Sequence, residues 1–190
     1  MSYYPRRTGN PAVEPVTLEE ALEHLREDAG VADDYIEALI TTAREACEDR
    51  IERTLISTPW RVTMDAFPDA VVLFRPPVIA VQSVVYLDKD GVEQTLDAQD
   101  YIVDAVSEPG YVVPAPNVAW PDTQDRINAV WVNYTAGYGA TAADVPRPLR
   151  QWILLAVGDM YSRRNRSAER PAVPHQFADG LLDPYKIMRV

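Results

Sequence analysis

The spacing of apolar residues changes period twice along this chain, and that change constrains the fold more than any motif does. From Ile36 through Leu39, Ile40, Ala43, Cys47, Ile51 and Leu55 the apolar positions recur every three or four residues, as on one face of a long helix. After Ile56 the spacing falls to two. Trp60, Val62, Met64 and Ala66 alternate with Arg61, Thr63 and Asp65, the pattern of a strand with one side against a core. The helical period returns at Leu149, Trp152, Ile153, Ala156, Val157, Met160 and Tyr161. Helices, then strands, then a helix predict a helical core interrupted by a β insertion.

Local signals set the expected boundaries. Thr17 and Glu20 form a capping box for a first helix over about residues 17–28, with Leu18, Ala21, Leu22 and Leu25 on its apolar face and Gly30 closing it. Asp33 and Asp34 favour a second helix start, giving a helix over about 34–55 whose other faces carry Glu37, Arg44, Glu45, Glu48 and Arg53. Pro146 suits the first turn of a third helix, about 146–164, expected to pack against the first two. Between them, about residues 58–135 read as one small antiparallel layer. It includes Val71–Phe74, a hairpin of Val81–Leu87 and Val92–Leu96 turning at Asp90-Gly91, and strands at Tyr101–Val103, Tyr111–Val113 and Val130–Tyr134. Pro5, Gly9, Pro11 and Pro15 make residues 1–15 an arm without regular structure. Pro171, Pro174, Gly180 and Pro184 make residues 166–190 a second arm, leaving one domain at 16–165. The expected fold class is α+β, mainly helical: a helical bundle of two N-terminal helices and one C-terminal helix, an inserted small antiparallel β layer, and extended terminal arms.

Charge and composition exclude several roles. At 190 residues the chain can bury one substantial core. No apolar run approaches the roughly twenty residues of a membrane span, and MSYYPRRTGNP lacks the apolar centre of a secretory signal, so the expected location is the cytoplasm. The net charge of -11 opposes a grip on nucleic acid, which needs lysine and arginine on phosphates, yet it suits a wall past which DNA slides.

Candidate chemistry is sparse. The two histidines fall on the polar side of the first helix, His24, and in the proline-rich tail, His175, with no nucleophile pattern around either. Cys47 lies on an apolar stripe and reads as a small buried hydrophobe. Asp88-Lys89-Asp90-Gly91 resembles the start of a calcium loop, but Glu93 and Gln99 stand where that loop needs glycine and glutamate. Ala136-Gly137-Tyr138-Gly139-Ala140 lacks the lysine and hydroxyl of a phosphate loop and reads as a flexible connector. The acidic pairs Glu19-Glu20 and Asp33-Asp34 sit at helix starts. Arg163, Arg164 and Arg166 suit a helix C-terminus, with phosphate contact the less favoured reading. No catalytic, cofactor or metal residue is assigned.

Four stretches in order carry a resemblance: VTLEEALEHLRED, DDYIEALITTAREACEDRIERTLISTPWRV, RPPVIAVQSVVYLDKDG and VNYTAGYGATAADVPRPLRQWILLAVGDMYSRR, together spanning residues 16–164. In combination they resemble the head-tail connector (adaptor, head-completion) family of tailed bacteriophages. The resemblance implies a structural virion protein without a cofactor. It implies a ring of about twelve copies on the portal protein, offering a platform to the next neck or tail-completion protein. DNA would pass through without specific binding, and the protein would sit in the virion neck after assembly in the host cytoplasm. The tail is the expected hand: Tyr185, Ile187 and Met188 anchored in a groove of the portal or a neighbour, with Lys186 and Arg189 meeting acidic groups at its rim. The alternatives are a small metal-dependent phage hydrolase or nuclease, which needs converging carboxylates, and a monomeric DNA-binding accessory protein, which the charge opposes.

Overall fold

The computed structural model describes residues 3–163 and 176–187. They fold as two compact units, each assembled from two separate stretches of chain: Met1–Ala12 with Ser57–Tyr138, and Val13–Ile56 with Gly139–Val190.

The first unit is β. Eight strands, β1 (Tyr4–Arg7), β2 (Thr58–Met64), β3 (Val71–Leu73), β4 (Val78–Leu87), β5 (Glu93–Thr95), β6 (Tyr101–Asp104), β7 (Gly110–Pro114) and β8 (Val130–Ala136), form two sheets. One has the order β1-β2-β8-β4-β5 and the other β3-β7-β6, every pairing antiparallel. Alternation in β2 and β8 sends Trp60, Val62, Met64, Val130, Val132, Tyr134 and Ala136 inward. There they form one cluster with Val71 and Leu73 of β3 and Val112 of β7. Phe67 stacks on Trp120 at 4.6 Å and meets Tyr86 edge-on, extending that cluster.

Two corrections to the sequence reading follow. The chain is α+β but not a mainly helical bundle, because the strands supply the two inner faces of a core of their own. The β region is also two sheets and not one layer. The N-terminus is a third departure: residues expected to lack regular structure form edge strand β1, with Tyr4 opposite Thr63 and Arg7 opposite Trp60. Pro5 is tolerated there because an edge strand need not donate on its outer side.

The second unit is helical: α1 (Leu18–Leu25), α2 (Asp33–Ile51), α3 (Arg147–Arg163) and the short α4 (Gln176–Gly180). The capping box is present, the Glu20 N–H donating to Thr17 Oγ1 at 3.2 Å and the Thr17 N–H to Glu20 Oε2 at 2.9 Å. Ala21 and Leu22 of α1, Ile36, Leu39, Ile40, Ala43, Cys47 and Ile51 of α2, and Leu149, Trp152, Ile153 and Val157 of α3 are buried. As the periodicity predicts, α3 packs on both α1 and α2.

Both early helices stop sooner than expected, without glycine. Arg26 and Glu52 take the left-handed conformation, φ 59° and 58°, and cap α1 and α2. Leu55 remains fully buried beyond the helix that was to carry it. The second terminal segment is not an extended arm over its described part: Ala178 and Leu182 are buried, and Arg50 of α2 pairs with Asp179 at 2.5 Å.

Candidate assembly surfaces

Several groups that chemistry could have used are committed to local structure. Burial, with the neighbouring Glu48 charge, raises the Cys47 thiol to about 12, so it stays protonated. Asp88 accepts the backbone N–H groups of Asp90 and Val92, each at 3.0 Å, and the Gln94 amide at 2.9 Å, fastening the β4–β5 turn. Those bonds, the Gln94 amide foremost, hold its carboxyl below the ordinary aspartate value. Asp33 accepts the Gly30 N–H at 2.9 Å, and Glu20 serves the capping box. The Gly137 N–H donates to Pro77 O at 2.9 Å, and the chain then enters a short 3-10 turn capped by Thr141 and Asp144. No three His, Cys, Asp or Glu side chains are grouped to hold a metal ion among the described residues. No helix among them is long and apolar enough to cross a membrane. His24 is exposed on α1; His175, Arg164 and Arg166 lie outside the described residues, and Arg163 pairs with Asp159 at 2.9 Å.

A polar cluster absent from the sequence reading lies inside the helical unit. Arg44 and Glu48, expected on solvent-facing sides of α2, are 2% and 3% exposed. Arg44 donates to Glu48 Oε2 at 2.9 Å and to Glu14 Oε2 at 2.8 Å, and Glu48 Oε1 accepts the Leu55 N–H at 2.8 Å. Burial alone would lower the Arg44 pKa; Glu48 and Glu14 outweigh it and hold the pKa above the ordinary arginine value. The cluster straps residues 13–16 onto α2, with Val16 buried beside it.

The predicted tail contact is divided. Tyr185 and Ile187 are half-buried at the C-terminal end of α2, where Arg53, just past the helix, donates its Nε–H to Tyr185 O at 2.5 Å and the Ile187 N–H donates to Ile51 O at 3.3 Å. Lys186 is exposed and pairs with Asp183 at 2.6 Å. Met188 and Arg189 lie outside the described residues.

The β unit carries a surface that the sequence did not single out. On the side of the larger sheet facing away from its core, Tyr4, Arg6, Arg61, Thr63, Asp65 and Trp131 line an open concavity with Ile127 and Asn128. Arg6 and Arg61 are directly opposed across β1 and β2. Arg61 lies over the Trp131 ring, 5.8 Å from its centre, and donates to Asn133 at 2.8 Å. The carboxylate of this surface, Asp65, accepts the Asn128 N–H at 2.9 Å. Only strand pairing, which period alone does not give, brings these residues together.

No family model matches the chain, and no curated protein matches it in sequence. Solved structures do match. A chain in the neck of an empty gene transfer agent particle, computed with C6 symmetry, has a TM-score of 0.81 and 23% identity, covering 98% of this chain and 97% of that one. A chain in the virion of a native gene transfer agent particle has a TM-score of 0.78 and 24% identity, covering 98% and 96%. A chain in the neck of the native particle, computed with C12 symmetry, has a TM-score of 0.73 and 25% identity, covering 98% and 97%. The likeness extends over the whole chain and is consistent with the head-tail connector family that the sequence resembles.

Proposed function

We propose that this chain is a structural subunit of a virion neck, forming a ring of about twelve copies between the portal and the tail or the next neck component, and lengthening the channel through which DNA passes. The observation that carries the reading is the full-length agreement in fold with chains from particle necks, one of them computed with C12 symmetry. Two further features support it. Asp88 and Glu20, two of the carboxylates that catalysis could have used, are bonded into a turn and a cap, and a net charge of -11 disfavours retention of a passing polyanion. Assembly would take place in the host cytoplasm. The residues after α4, Tyr185, Lys186, Ile187, Met188 and Arg189, contact the portal or a neighbouring subunit.

The test is the mass of the protein alone and with portal protein of the same particle. A ring in either condition supports the reading; a monomer indifferent to portal overturns it. For the tail, removing residues 188–190 spares the buried Leu182, the bond of Tyr185 to Arg53 and that of Ile187 to the end of α2. The shortened protein is expected to fold and to lose its partner; undiminished assembly would remove the tail from the contact.

A further inference from the structure

The concave face around Arg6 and Arg61 is costly for an isolated subunit. Like charges directly opposite on neighbouring strands repel, and neither arginine has an ion pair among the described residues. The Arg6 side chain is exposed and makes no hydrogen bond or ion pair among the described residues. Asp65 is partly spent on the Asn128 N–H. Beside the arginines stand Tyr4, 57% exposed, Ile127, 71% exposed, and the Trp131 ring. Arginine with exposed aromatic and aliphatic groups is the composition of a contact surface rather than a solvated one.

We propose that this face receives the α1–α2 connection and the first turn of α2, residues 27–37, of a second copy of this chain. The inference deepens the ring reading above and rests on it. A closed ring needs a heterologous contact, in which two different patches of one chain meet on neighbouring copies. A chain of charge -11 repels its own copies unless the contact sets opposite charges against each other. The connection is chemically matched to the concave face. Glu27, Asp28, Asp34 and Glu37 are exposed there, and in their midst Val31 is 78% exposed. The carboxylates neutralise Arg6 and Arg61, while Val31 covers apolar surface at Trp131 and Ile127.

Arg6→Glu is the first test, since Arg6 has no side-chain partner to lose and the fold is expected to stay intact by circular dichroism. In whichever condition the unaltered protein forms its ring, alone or with portal protein, R6E and the double variant R6E/R61E should raise the concentration for half-assembly by about tenfold or more. The opposite reversal, D34K/E37K, should be equally defective alone. An equimolar mixture of R6E/R61E with D34K/E37K should regain assembly, because each then offers a partner of opposite charge; this rescue also separates a lost contact from a lost fold. Unchanged assembly of R6E/R61E, loss without rescue in the mixture, or loss of portal binding with the ring intact would each overturn the inference and leave the ring reading standing. If the unaltered protein forms no ring in either condition, both fall together.

Discussion

Arg44 shows what a residue's neighbours on its own helix cannot reveal. It and Glu48 form an ordinary i,i+4 pair on the polar side of α2, and their burial comes from residues 13–16, a segment that reads from its prolines as an arm. Replacing Arg44 with Met would leave Glu48, and in part Glu14, as charges without their counterion. The expected loss in urea denaturation is about 3–5 kcal/mol, and a loss within experimental error would mean that the cluster behaves as a surface pair. Cys47 was legible because a small apolar residue on a clean stripe has few other places to go. With its thiol raised to about 12 by burial and by Glu48, it should resist thiol reagents near neutral pH and react fully once urea unfolds the chain.

Helix α1 illustrates how starts and stops differ in legibility. Its start is written in side chains that bond to the backbone, and Thr17→Ala should cost about 1 kcal/mol. Its stop is a left-handed Arg26, which no sequence signal marks because glycine is the usual resident. Arg26→Gly should therefore stabilise the protein by about 1 kcal/mol, read as a raised urea midpoint. Burial pulls the Glu20 pKa up, but the Thr17 N–H and Arg150 outweigh it and hold the folded value below the ordinary one. The sign follows: Glu20 contributes stability above the unfolded carboxylate value, and that contribution is lost as pH falls through the lowered folded value. Urea midpoints should fall less steeply with acid in Glu20→Gln than in the unaltered protein. Among the strands, β2 and β8 were legible through alternation. The division into two sheets was not, because period fixes which side of a strand is buried and leaves its partner open. The concave Arg6/Arg61 face escaped for the same reason, since it exists only once β1 has paired with β2.

Across the whole molecule, the order of segments carried more information than any one of them. Helix, strand and helix periods in that sequence led to a family resemblance, and chains from gene transfer agent particles, two of them from the neck, share the fold over 98% of this chain. The same order misled about balance, because strands bracketed by helices look like an insertion even when they own a core. The chain passes between the units three times, near residues 12, 56 and 138, so each unit is built from two stretches. A single protease cut after Ala140, which is exposed, should leave the two fragments joined through the packing of α3 on α2. They should elute together in buffer and separate only in denaturant. The same threading bears on descent. One recombination crossover anywhere from residue 13 to residue 138 would give both cores two unrelated parents, so lineages of this protein are expected to exchange the gene whole.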